Sequence, residues 1–274
     1  MNIETLTTAP TRGNAFTREL SMEALHERVP AAFASSAHEK LSARYTFIPT
    51  DRILDGLMQA GFVPVDARQS QTRRASPLHA RHVLRLRRQV ETIQLKDAIP
   101  ELVFLNSHDG TSGYQLRLGI YRVVCTNGLI VSRGAFPAYC VSHRGNVVES
   151  VVAGALEAAG RFAALAVQVE RMEARRLAVE EQIRFAGHAL AERFPSLPDP
   201  GMQPSQLLYC RRIEDRGDDL WRVLNRVQEN ILKGGQVRHS PSGRLTRTRR
   251  ITSIREDVRL NGRLWDLASE ILEA

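Results

Sequence analysis

Seven arginines and not one carboxylate lie between Arg68 and Arg88, and nine basic residues stand against two acidic ones between Lys233 and Arg263. A guanidinium offers a planar fork of N–H donors that matches phosphate oxygens, so such clusters suit a polyanion. The chain carries a net charge of +8, and with both clusters set aside the rest is mildly acidic, a distribution expected of a localised site. Two facts weigh against this reading. Arginine outnumbers lysine 35 to 3, which a GC-rich genome can produce unaided, and a charge run is commonly a solvated face. In the first cluster Arg81, Arg85 and Arg87 share one parity of an extended chain while Leu84 and Leu86 take the other, so a strand here would carry an arginine row. Together with Arg73, Arg74, Arg117, Lys233, Arg244, Arg247, Arg249 and Arg250, they form the candidate nucleic-acid-binding set. Aromatic residues make up only 6% of the chain, which leaves Tyr114, Tyr121, Phe136 and Tyr139 as stacking candidates. Binding by charge with little stacking is expected to be salt-sensitive and sequence-tolerant.

Catalytic patterns are sparse. The chain has no GxxxxGK[ST] phosphate loop, no GxGxxG, no HExxH and no GxSxG, so it lacks the usual nucleotide, metal and acyl-transfer signatures. Ser107-His108-Asp109 contains the residue types of a nucleophile, base and orienting acid. Adjacent residues in extended chain alternate in direction and do not converge as a triad must, so a turn capped by Asp109, with glycines at Gly110 and Gly113, is the expected role. His79 and His82 would face opposite sides of a strand, which disfavours a metal site. Glu101, Asp109 and Glu149 have no DxD or ExK spacing for the Mg²⁺ of a nuclease. Neither enzyme activity, nor a metal, nor a cofactor is expected.

The elements that position these residues can be read from periodicity. A short helix over 18–28, ended by Pro30, precedes a helix over 51–60 for which Thr50 is suited as N-cap. Strands are expected at 62–68, 79–88 and 101–106, in a hairpin over 114–131, and at 138–143. Tyr114, Leu116, Leu118 and Ile120 alternate with polar neighbours, and Asn127-Gly128 supplies a tight primed turn before Leu129, Ile130 and Val131. From 147 to 194 apolar residues recur every three or four positions, a span too long for an ordinary helix, so it breaks near Arg175-Arg176 or part of it projects. Its charged half, 170–192, suits either a solvent-facing arm or a self-associating one, the second of which would give a homo-oligomer.

The expected fold is therefore α+β: a mostly antiparallel sheet of five or six strands, then a long helix and a helical C-terminal part. Residues 1–17 read as a disordered N-terminus, 18–194 as the α+β core, and 195–204, with four prolines, as a linker. Residues 205–274 hold helices at 218–232 and 253–272 around a basic loop or hairpin. No apolar run of about 18 residues suggests a membrane span and no secretory leader is recognisable, so a cytoplasmic protein is expected. Cys125, Cys140 and Cys210 have no CxxC spacing and read as buried thiols.

Asn106-Ser107-His108-Asp109-Gly110, the strand Tyr114–Gly119 and the run Arg122-Val123-Val124-Cys125-Thr126-Asn127-Gly128-Leu129 resemble the phage/plasmid-like family known only as domain of unknown function nine-three-two. The likeness extends from about Thr50 to the C-terminus. It implies a carrier that is a phage, plasmid or integrated element, and it brings no catalytic residues. Sheet followed by long helix also resembles the layout of strand-annealing recombination proteins, an analogy of fold alone. The functional expectation is a non-enzymatic nucleic-acid-binding protein, for single-strand DNA binding or annealing. The alternative is an anti-defence or regulatory protein docking on a host protein partner, with a metal-dependent nuclease ranked below both.

Overall fold

The computed structural model describes residues 19–41, 45, 47–71, 76–89, 98–122, 128–131, 136–141 and 146–274. The N-terminal stretch 1–17, expected to be disordered, lies outside them, as do Arg73, Arg74, Cys125 and Asn127. Helix α1 (Met22–Arg28) and α2 (Thr50–Gln59) lead into β1 (Phe62–Gln69), β2 (His82–Arg88), β3 (Ala98–Asn106), β4 (Tyr114–Arg122), β5 (Gly128–Val131) and β6 (Tyr139–Val141). The strands form one antiparallel sheet in the order β1-β2-β3-β4-β5, with β6 pairing the start of β4.

The alternation of side chains divides the sheet into two unlike faces. Leu84, Leu86, Leu102, Phe104, Tyr114, Leu116, Leu118 and Ile120 point into the main core with Leu25, Ile53, Leu57, Val151 and Ala155 of the N-terminal helices and α3 (Val147–Ala159). The reverse face carries Val83, Val103, Leu105, Tyr121 and Ile130, which form a second apolar cluster with Ile254 and Val258 of α7 (Ile254–Glu273). Polar and charged residues, among them Arg85, Arg87, Glu101 and Arg117, occupy much of the rest of that face.

The helical half follows. Helix α3 runs on through Gly160-Arg161 into α4 (Phe162–Ala174), and the chain breaks at the expected Arg175-Arg176 before α5 (Val179–Arg193). The break is stabilised by a short pairing: the Leu177 N–H donates to Asp218 and the Leu220 N–H to Arg175. No arm projects there, because Val169, Met172, Phe185, Ala186 and Leu190 are buried in the same core as the sheet. By length and composition alone Val147–Ala174 is apolar enough to cross a membrane, with a mean hydropathy of 1.4 over an 18-residue window. Its buried face, including Val151, Ala155, Ala158 and Leu165, forms part of the hydrophobic core. Helix α6 (Leu220–Lys233) lies at the centre, capped by the Asp219 carboxylate on the Arg222 N–H at 3.0 Å and ended at Gly234, whose φ is +66°. The basic loop contains a hairpin, β7 (Val237–His239) with β8 (Leu245–Arg247).

Three local expectations need correction. Gly128 pairs with Tyr121, so it belongs to β5 and is not a turn residue. Glycine is required there because a Cβ would collide with the Tyr121 ring lying across it. Thr50 does not cap α2; its hydroxyl is instead held by His82, His108 and Asn106. Cys140 is exposed and Cys210 half-buried, so neither is a buried thiol.

Candidate nucleic-acid interface

The two arginine clusters of the sequence meet where α7 lies on the polar face of the sheet. One side of α7 borders a cleft of about 580 Å³ lined by Arg81, Arg117, Arg255, Arg259 and Arg263, with Thr111, Ser112 and Gln115. Among the described residues lining this cleft there is no carboxylate. Arg81, immediately before β2, donates to the Thr111 carbonyl at 3.2 Å and its hydroxyl at 3.3 Å. Arg117 projects from the middle of β4, and its one side-chain bond is to Gln115 Oε1 at 3.0 Å. Its buried Nε has no partner among the described residues, nor has that of Arg81. Burial holds the Arg117 guanidinium below the ordinary arginine range, since no carboxylate offsets the lost hydration. An anion in this cleft would supply the missing countercharge.

Arg255, Arg259 and Arg263 come from α7 at steps of four, which puts them on one helix face. They are not equivalent. Arg255 is exposed and makes no side-chain hydrogen bond or ion pair among the described residues. Arg259 is held by Glu256 at 2.8 Å and Glu192 at 3.1 Å, and Arg263 by Glu192 at 2.7 Å. The Arg263 bond is the main reason that the Glu192 carboxyl titrates below its usual range.

The other side of α7 borders a smaller cleft of about 200 Å³, lined by Arg68, Arg85, Lys233 and Arg250 with Asp66, Tyr121 and Asp257. Here most of the charge is answered internally. Arg68 pairs with Asp257 across the gap from sheet to helix, and Lys233 donates to Glu229 at 2.5 Å. Arg85 lies 3.3 Å from the centroid of the Tyr121 ring. That ring rests over Gly119 and Gly128, where no side chain would fit.

The candidate set is thus divided. Arg81 and Arg117 line the larger cleft, while Arg85, Lys233 and Arg250 line the smaller. Arg85 and Arg87 share the expected parity, but both are bound to the fully buried Glu101, at 2.8 and 2.7 Å. They form a structural ion cluster before they form anything else. Arg244, Arg247 and Arg249 sit on the β7–β8 hairpin and its return, lining neither cleft, with Arg247 donating to the Gly235 carbonyl at 2.9 Å. Of the stacking candidates, Tyr114 and Phe136 are buried in the core and Tyr139 lies beneath Arg161. Tyr121 alone lines a cleft.

The chain matches the family model described as "Domain of unknown function (DUF932)" over residues 37–265. The chain belongs to that family. Among its relatives, the UPF0380 protein YfjQ of Escherichia coli K12 is 40% identical over 256 residues, 93% of this chain and 92% of the relative. The UPF0380 protein YafZ of the same strain is 39% identical over 256 residues, covering the same shares. No solved structure matches the chain.

Within this DUF932 member, the Ser107-His108-Asp109 motif does not assemble a triad. The Ser107 hydroxyl and the Thr111 amide and hydroxyl all donate to Asp109 Oδ1, at 2.7, 2.9 and 2.7 Å, while His108 points inward to Thr50. Gly110, at φ +78°, turns the loop, which forms the rim of the larger cleft through Thr111 and Ser112. His79 and His82 separate, the first against the His38 ring and the second against His108. Among the described residues no group of three potential ligands could hold a metal. Arg255, Arg259 and Arg263 were not among the sequence candidates, yet their four-residue spacing on an expected helix was the available signal.

Proposed function

We propose that this chain is a non-catalytic nucleic-acid-binding protein of a mobile genetic element, and that it holds a DNA strand by its phosphates in the cleft between α7 and the sheet. The supporting observation is the larger cleft itself: five arginines without a lining carboxylate, two of them with buried and unpartnered Nε groups. Arg259 and Arg263 are paired with Glu192 and Glu256, but Arg81, Arg117 and Arg255 have no ion pair among the described residues, and guanidiniums left so at a concave surface favour an anionic ligand. A volume of about 580 Å³ lies within the ordinary range for a small-ligand pocket. It would admit part of a single strand, whereas a duplex could only lie across the mouth. Among the described residues no aromatic side chain lines this cleft, so recognition would rest on backbone charge and tolerate sequence.

Fluorescence anisotropy with labelled single- and double-stranded oligonucleotides at two salt concentrations tests this. Single strands should bind more tightly than duplex, and Arg117→Ala should weaken binding about tenfold, the worth of one charge-assisted contact. Arg244→Ala, outside both clefts, should change it little. An absence of binding at low salt removes the proposal. An acidic protein surface would meet the same arginines, and capture of a host protein that survives nuclease treatment would favour that second reading. Self-association would use apolar side chains left exposed on the helices, such as Val167 and Ile183, and sedimentation measures it.

A further inference from the structure

The two clefts lie on one sheet face and are separated by one element. Asp257 and Val258 are adjacent on α7, yet the first lines the smaller cleft and the second the larger. Arg250, before the helix, lines the smaller cleft, and Arg255, in its first turn, lines the larger. Between them the small Thr252 and Ser253 are exposed, while Ile254 is buried and Ile251 half-buried.

The available charge is arranged in the same way. In the smaller cleft Arg68, Arg85 and Lys233 are already paired with Asp257, Glu101 and Glu229. Arg250 is exposed and its side chain makes no bond among the described residues. Each cleft therefore presents an unengaged guanidinium beside the start of α7: Arg250 on one side, Arg255 on the other. A ligand that engages both must reach from one cleft to the other across the start of α7 with a phosphate in each, which a mononucleotide, carrying its phosphate at one end, does not.

We infer that the two clefts are one extended subsite for an oligonucleotide, with the strand crossing the first turn of α7 and giving one phosphate to Arg117 and Arg255 and a later one to Arg250. This rests on the nucleic-acid reading above and adds a length requirement to it. Tyr121 and the Arg85 guanidinium stacked on it line the smaller cleft, so a base of the strand would meet them there.

Binding of deoxythymidine oligonucleotides of two and eight residues to wild type, Arg117→Ala and Arg250→Ala, each over a salt series, tests the inference. Arg117→Ala should weaken both lengths. Arg250→Ala should leave the dinucleotide unchanged and weaken the octanucleotide, with the salt slope falling by about 0.7, the value for one single-strand phosphate contact. A thermal melt checks that Arg250→Ala, a change at an exposed side chain, remains folded. Equal loss at both lengths, or no loss for the octanucleotide, overturns the two-cleft inference while leaving the larger cleft intact. If wild type binds neither length, the nucleic-acid reading itself fails.

Discussion

The Nε2 of His82 lies 3.0 Å from the hydroxyl of Thr50, and this pair ties the start of α2 to the start of β2 where both are fully buried. His82 Nδ1 is 3.0 Å from the Ala80 carbonyl, which can only accept, so Nδ1 carries the proton. In the neutral ring Nε2 is then bare and accepts the Thr50 O–H. The Thr50 oxygen in turn accepts from Asn106 Nδ2 and His108 Nε2, both at 3.1 Å. Every bonding position of the hydroxyl is used, provided that His82 is neutral.

Stability should therefore depend on pH through this cluster. Burial pushes the His82 pKa from 6.5 down to about 4. Above 6.5 neither folded nor unfolded His82 is protonated, and the cluster contributes fully. Between 6.5 and 4 the unfolded chain takes up a proton that the folded chain refuses, so stability falls as pH falls, by about 3 kcal/mol over the window. Urea unfolding at pH 7.5, 6 and 5 measures the decline. In His82→Gln the overall stability should be lower and this pH-dependent part absent; an unchanged pH profile in that variant would show that the decline arises elsewhere.

Glu101 is fully buried between Arg85 and Arg87. Replacing one member of a buried ion cluster leaves the others uncompensated, so Glu101→Gln should destabilise the fold by about 3–5 kcal/mol. Thermal or urea unfolding reads this directly. A loss below about 1 kcal/mol would mean that water already screens the two guanidiniums.

Much of this arrangement was legible in the sequence. The Leu84/Leu86 and Arg85/Arg87 parity assigned the two faces of β2, and the alternation from Tyr114 to Ile120 assigned those of β4. The fate of the arginines was hidden because it depends on strand register. Glu101 lies one position beyond the Leu86–Leu102 pair and so reaches Arg87, a placement that no local pattern reveals. Asn-Gly misplaced the turn for a similar reason. Gly128 was read by its local turn propensity, whereas its cross-strand neighbour Tyr121 explains the need for glycine. Thr50 was read as a cap because its histidine partners lie 32 and 58 residues away.

That glycine gives a third prediction. A Cβ at residue 128 would occupy the space of the Tyr121 ring, which in turn supports Arg85. Gly128→Ala should cost about 1–3 kcal/mol, the usual range for overpacking a filled core. In the Tyr121→Leu background the same change should cost less, and the double-mutant cycle measures the coupling. Additive losses would show that the ring moves aside freely.

A last prediction has the opposite sign to an ordinary loss of function. Glu192 on α5 holds both Arg259 and Arg263 on α7, and through them keeps two of the five cleft arginines partly neutralised. Its carboxyl, kept below the usual range chiefly by Arg263, carries a full negative charge at neutral pH. Glu192→Gln keeps the shape and an acceptor oxygen but removes that charge, so Arg263 loses its closest countercharge and Arg259 keeps only Glu256, which leaves both more available to phosphates. If the cleft holds nucleic acid, the variant should bind single-stranded oligonucleotides more tightly at low salt and lose affinity more steeply as salt rises, because more phosphates are engaged. Arg263→Gln, which removes one cation, should do the reverse. Tighter binding in the first and weaker in the second would be hard to obtain from general destabilisation, which lowers affinity in both. Weaker binding in Glu192→Gln, with its melting temperature preserved, would place the nucleic-acid contact away from the α7 arginines.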